Sequence, residues 1–216
     1  MKFVIGFFLA GCILFADPIA TNVSVALING GNPVVLDKQG YPAGPYTLSV
    51  SGVNLPALCV DFLHWTPTDQ PYLANISQIG GDISSTYNPH DSFAYEEEAY
   101  LYGQITKPNA DRADIQDAAW SITDPAYNPD KAAQYYVDEA ADYVNNAINR
   151  NQVQSDFRNF YVVTAADEWQ PKQEFVIEIP CATAPEPASL ALMGSALILF
   201  GARFYLRGCK KGRSCP

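Results

Sequence analysis

Strand-type segments stand at both ends of the central part of this chain, and helix-type segments fill the middle. Asn22–Leu27 and Tyr46–Val50 alternate apolar and polar residues, the period of a half-buried strand. Ala57–Phe62 forms a third strand after a break at Asn54-Leu55-Pro56, and strand character returns at Phe160–Val163 and Phe175–Ile179. Thr66 to His90 is rich in Pro, Gly, Asn and Ser and predicts long loops with at most one short strand. Three helices are predicted between. Asp91-Ser92 caps one running from Phe93 towards Gln104, Asn109 or Asp111 caps one ending before Pro125, and Asp130 opens one reaching Ile148. Strands on either side of a helical block predict an α+β domain, a β sandwich or barrel with a helical insert.

What flanks this domain limits where it works. Met1-Lys2 and the apolar run Phe3–Phe15 have the form of a secretory signal, with cleavage after Ala16. A competing feature is Leu9-Ala10-Gly11-Cys12, a lipoprotein-type box in which Cys12 would take the lipid; export is expected either way. At the other end, Pro185-Glu186-Pro187-Ala188-Ser189 precedes a short apolar run, Leu190–Ala202, and then Arg203, Arg207, Lys210, Lys211 and Arg213. The apolar run is short for a spanning helix, although Arg203 can snorkel and lengthen it, and basic residues behind it favour the cytoplasmic side. The expected organisation is a signal peptide over 1–16, an ectodomain over 21–181, and a sorting segment with a single span and basic tail over 185–216. The chain's formal charge of −10 understates the acidity of the ectodomain, since residues 17–184 hold 22 Asp+Glu against 7 Lys+Arg while the tail is basic, and an acidic body is unsuited to nucleic acid.

The exported part carries two cysteines, Cys59 and Cys181. In an oxidising compartment two such residues pair by default, so a Cys59–Cys181 disulfide is one expectation. Another comes from the second helix, Asp114-Ile115-Gln116-Asp117-Ala118-Ala119-Trp120-Ser121-Ile122. Ile115, Ala119 and Ile122 form its buried stripe, while Gln116 and Trp120, one turn apart, share the adjoining face. A glutamine beside a tryptophan on a core-facing turn can meet Cys59 if the fold presses them together. A thiolate can then attack the carboxamide, expel ammonia and leave an internal thioester. Unpaired N–H groups in the first turns of the helix would polarise the carbonyl, and Trp120 would shield the product from water. Leu58 and Val60 should point to the opposite face of their strand from Cys59.

The C-terminal segment resembles the PEP-CTERM sorting signal of exported proteins in Gram-negative bacteria: Pro185, Glu186 and Pro187, then a short span, then arginines. That resemblance implies handling by an exosortase, transient residence in the inner membrane, and delivery to the cell surface, outer membrane or an extracellular, biofilm-type matrix. Leu58-Cys59-Val60 and Ile115-Gln116-Asp117-Ala118-Ala119-Trp120 resemble the paired signatures of thioester domains in bacterial surface adhesins, over roughly Tyr46 to Ile179. It implies a β framework carrying the cysteine on an early strand and the glutamine on a helix, and covalent capture of amines on a partner surface or matrix protein. Such a chain is an adhesin and not an enzyme, because each thioester reacts once. It requires no cofactor, metal or catalytic residue.

Alternatives rest on other residues. A matrix protein that acts without covalent chemistry would use the Cys59–Cys181 disulfide. A secreted cysteine hydrolase would pair Cys59 with His64 as base. Glu96-Glu97-Glu98 with His90 and Asp91 could hold a cation, although a capped, solvated helix start is the plainer account. Tyr95, Tyr100, Tyr102, Tyr135, Tyr136 and Tyr143 could form a carbohydrate-binding face, or core and rim.

Overall fold

The computed structural model describes residues 19–29, 35–146 and 150–180. The strands are β1 (Ile19–Asn29), β2 (Val35–Leu36), β3 (Pro42–Ala43), β4 (Tyr46–Val50), β5 (Val53–Cys59), β6 (Tyr72–Gln78), β7 (Phe160–Ala165) and β8 (Phe175–Glu178). Between β6 and β7 lie α1 (Ser92–Ile105), α2 (Arg112–Thr123), α3 (Lys131–Asn145) and α4 (Arg150–Asp156). Six strands close into an antiparallel barrel in the order β1-β4-β5-β8-β7-β6, while β2 and β3 form a separate two-stranded sheet. The predicted α+β framework with a helical insert is therefore present, in its barrel form.

Alternation along each strand divides the core in two. Val25, Leu27, Leu48, Val50, Ala57, Cys59, Val163, Phe175 and Ile177 belong to one buried cluster, which fills the barrel. Their sequence neighbours Leu58, Val162 and Val176 belong to the other, shared with the helices packed outside β5, β8 and β7. Cys59 and Leu58 thus face opposite ways, as the alternation predicts, and Val60 lies with Leu58. Burying a side chain such as Leu58, fully enclosed here, contributes about 1.5–3 kcal/mol.

The helix starts follow local chemistry. Asp91 accepts from Ala94 N at 3.0 Å, and Asp130 from Ala132 N and Ala133 N at 2.9 and 3.1 Å. Of the two predicted caps for α2, Asp111 is used, accepting from Asp114 N at 3.5 Å. The third helix ends at Asn145, and Ile148, its expected end, lies outside the described residues.

Several expectations need correction. Asn54-Leu55-Pro56 is not a break but part of β5: Pro56 pairs with Thr47, while β8 pairs only with Ala57–Cys59. Pro56 therefore sits past the end of the β8 ladder, at the kind of open edge a strand proline needs. The predicted third strand also ends earlier, at Cys59, so that Val60–Phe62 belong to the following turn. The segment after Thr66 contains the seven-residue β6, which closes the barrel between β1 and β7. The short helix α4 was not foreseen. Glu96 and Glu98 are not a solvated helix start, being 4% and 0% exposed. Tyr95 and Tyr102 are core rather than part of a carbohydrate-binding face. Among the described residues no helix is long and apolar enough to cross a membrane; residues 1–16 and 185–216, with Cys12, Cys181 and the Pro185-Glu186-Pro187 motif, lie outside them.

Candidate functional site

The fold brings Cys59 and Gln116 together. Cys59 ends β5 with its side chain inside the barrel, and α2 crosses that end. Its Ile115, Ala118 and Ala119 pack into the outer cluster, while Trp120 joins the barrel cluster. Both Cys59 and Gln116 are 0% exposed. The Gln116 carboxamide is fixed at both of its polar atoms: Nε2 donates to the Cys59 main-chain oxygen at 2.5 Å, and Oε1 accepts from Gly44 N at 3.3 Å. The Cys59 thiol donates to the Asp61 main-chain oxygen at 3.4 Å.

The donor on the carbonyl differs from the one expected. Gln116 lies in the early turns of α2, yet its oxygen turns to the main-chain N–H of Gly44 rather than to the helix N-terminus, whose Asp114 N–H is taken by Asp111. A Cβ at residue 44 would stand 3.2 Å from Gln116 Oε1 and 3.1 Å from Tyr46 Cδ2, closer than side chains normally approach. Glycine at 44 is what allows this N–H to reach the carboxamide. Nothing in the sequence around Gly44 signalled this; the loop is placed by β3 and β4.

Electrostatics at the sulfur favour the neutral thiol. Burial pushes the Cys59 thiol up to about 12, opposed by the Asp61 main-chain contact and by the Trp120 indole. The indole Nε1 is buried and closes no hydrogen bond of ordinary geometry, so Trp120 acts on the sulfur as a nearby dipole. Trp120 is buried within an aromatic cluster the sequence did not reveal. Its ring centroid lies 5.1 Å from Phe62, 5.7 Å from Tyr127 and 6.3 Å from Tyr41. Tyr127 is anchored through its hydroxyl to Asp117 at 2.9 Å, and burial raises the Asp117 carboxyl to about 6.

Two cavities lie in this region, one lined by Trp120 and the other by Val60 and Asp61. One, of about 330 Å³, is walled by Tyr41, Tyr46, Phe62, Trp65 and Trp120. The other, of about 270 Å³, is bordered by Asp61, Tyr87, Asp124 and Glu174. His64 lines both. Its Nδ1 lies 2.6 Å from Asp61 Oδ2, so the ring is held by Asp61, while the Cys59 thiol bonds the main chain of the same residue. Among the described residues no cluster of three or more His, Cys, Asp and Glu side chains could hold a metal ion.

Comparison with protein-family models, with curated proteins and with solved structures gives no match.

Proposed function

We propose that this chain is an exported, surface-sorted adhesive protein whose Cys59 and Gln116 form an internal thioester that captures an amine on a partner surface or matrix protein. The observation that carries it is the clamped carboxamide: Gln116 is held against Cys59 on one side and polarised by Gly44 N–H on the other. Cys59 and Gln116 are both without exposure, and the Gln116 carboxamide is bonded to the main chain of Cys59 itself, which supports the high effective concentration that thiol attack on an amide needs.

In the closing step the sulfur of Cys59 bonds to the Gln116 carbonyl carbon and the C–N bond breaks. The thiol proton leaves on the departing nitrogen, so one ammonia is released. Gly44 N–H stabilises the oxygen as it gains charge. In the capture step a primary amine attacks the same carbon, the C–S bond breaks, and the amine's proton returns to the sulfur. The partner remains joined through an amide, and Cys59 regains its thiol. The event happens once per chain, so this is not enzymatic turnover. The aromatic cluster of Tyr41, Phe62, Trp120 and Tyr127 keeps water from competing.

Export through the inner membrane, the signal peptide over 1–16 and exosortase-type sorting at Pro185-Glu186-Pro187 belong to the same proposal and rest on sequence resemblance. The alternative Cys59–Cys181 disulfide involves a residue outside the described part.

Intact mass of the purified ectodomain is the test. The wild-type chain is expected to be lighter by one ammonia, and Gln116→Ala and Cys59→Ser chains to show no such loss. Methylamine should then add at Gln116. A loss of two hydrogens that survives Gln116→Ala and vanishes in Cys181→Ser would establish the disulfide and refute the thioester.

A further inference from the structure

We infer that the aromatic-walled cavity lined by Trp120 is a binding site for an uncharged hexopyranose unit, the six-membered ring of a neutral saccharide, held without covalent chemistry. The site is independent of the thioester: neither Cys59 nor Gln116 lines it, and it can bind whether or not that bond forms.

Shape and lining carry the inference. At about 330 Å³ the cavity is at the lower end of the range for ligand sites, with room for one substituted ring rather than an extended chain. Its lining is of two kinds. Tyr41, Phe62 and Trp120 are in mutual ring contact, with Tyr41 edge-on to the other two at 5.2 and 6.3 Å. Thr66, Gln173 and His64 make a polar group: Gln173 N donates to the Thr66 hydroxyl at 2.8 Å, and His64 is two residues before Thr66. A pyranose ring has the same division. Its C–H faces suit the negative face of an aromatic ring, and its hydroxyl edge both donates and accepts. The polar group can answer those hydroxyls. The Thr66 hydroxyl, accepting from Gln173, still has its proton to give, and the Gln173 carboxamide offers donors and an acceptor. His64, with Nδ1 against Asp61 at 2.6 Å, turns Nε2 away from that carboxylate. Among the described residues no Asp, Glu, Lys or Arg lines the cavity. An ionised ligand would lose hydration there without meeting an opposite charge, so an uncharged one is favoured.

The mouth is held in place before any ligand arrives. Trp65 lines the cavity and is 69% exposed, a large apolar surface that the fold itself leaves uncovered. Its backbone is tied on both sides. Before it, the Asp61 carboxylate accepts from Leu63 N at 2.8 Å. After it, Thr66 is held by Gln173, and Asp69 N donates to the Leu27 main-chain oxygen at 2.7 Å. An exposed indole on a fixed backbone loses little freedom when a ring stacks on it, so more of the contact energy appears as affinity. Trp169 supplies the contrast, being 93% exposed while lining neither cavity.

The test follows the indole N–H signals of the 3 tryptophans by NMR in the whole, isotopically labelled chain, assigned with Trp65→Phe and Trp169→Phe. The probes are the methyl glycosides of glucose, galactose and mannose in both anomeric forms. At least one should shift the Trp65 signal saturably, with a Kd of about 1 mM as befits so few atoms, and leave Trp169 unmoved. Trp65→Ala, a change at an exposed side chain that should leave the fold intact, should weaken binding about tenfold, read at Trp120. Gln173→Ala should weaken it about five- to tenfold, and Trp169→Ala should bind as wild type. Cyclohexanol has the ring without the hydroxyl edge, and glucosamine and glucuronate carry charge; each should bind more weakly than the best neutral glycoside. Intact mass of the same samples reports the thioester separately. The proposal is overturned if no glycoside moves Trp65 at about 20 mM, well above that Kd. Equal shifts at Trp65 and Trp169, or tighter binding of cyclohexanol or of either charged sugar, would overturn it as well.

Discussion

Glu98 is the side chain whose replacement should change stability most in the favourable direction. It sits on α1 with 0% exposure, and neither carboxyl oxygen has a hydrogen-bond partner. Burial, and then the neighbouring charges of Glu97 and Glu174, push its carboxyl well above the usual range, so it stays protonated where other glutamates ionise. A buried polar group left without a partner costs about 1–3 kcal/mol. Glu98→Met keeps an unbranched chain of similar volume and removes the orphaned oxygens, so the domain should gain about that amount at the acid end, where the carboxyl is protonated in both states. For a domain of this size that corresponds to a rise in Tm of roughly 2–4 °C per kcal/mol. The sign with pH follows from proton binding. Above about pH 4.3 the unfolded chain releases the Glu98 proton while the folded chain keeps it. Wild type therefore loses stability as pH rises, by up to about 1.4 kcal/mol per unit, until the raised folded value is reached. Glu174, pushed up to about 7 by burial, has the same sign but is present in both proteins, so the difference isolates Glu98. Thermal melts of both proteins at several pH values between 4 and 7.5 measure it. The variant's advantage should be smallest at the acid end and widen upward. A less stable variant, or an advantage that does not change with pH, would refute the reasoning.

Two further predictions concern the thioester. Gly44→Ala introduces a Cβ at 3.2 Å from Gln116 Oε1 and should displace the carboxamide from its N–H donor. Loss of one such donor costs about 10²–10³ in rate, so ammonia release, followed by mass after refolding, should slow towards that extent; an unchanged rate would remove Gly44 from the chemistry. Phe62→Ala opens the wall beside Trp120, whose ring centroid lies 5.1 Å from that of Phe62. Hydrolysis of the closed bond, read as gain of one water by intact mass, should accelerate, and a half-life equal to wild type would show that the aromatic cluster does not exclude water.

The parts of this molecule legible in the sequence are those whose signal is local. Asp91, Asp111 and Asp130 cap helices because a short carboxylate reaches the next turn's N–H groups, a pattern contained within four residues. Tyr46–Val50 was found to the residue because one side of it is buried and the other is not. The chemistry-bearing residues Cys59 and Gln116 stood out by type. Their polarising donor did not, since a main-chain N–H in a turn has no sequence mark. The same holds for Glu98: three successive glutamates read as solvated charge, yet about 100° of helical turn separates each from the next, so one row can include a buried and a half-exposed acid.

The register of β5 is where fold and site become one constraint. Residues 58 and 59 are both wholly buried, so burial alone would not distinguish Leu-Cys from Cys-Leu. Orientation does, because Leu58 meets the helices outside the barrel and Cys59 faces the interior, where Trp120 joins the same cluster. The pairings Thr47 with Pro56 and Cys59 with Phe175 hold that parity from both sides. A slip of one residue would exchange the faces, placing a leucine against the carboxamide and the thiol among the helices. Since Leu48, Ala57, Phe175 and Ile177 would be misplaced by any slip that turned Cys59 outward, the apolar packing that makes the barrel also fixes the sulfur on its inner face, in the cluster that includes Trp120.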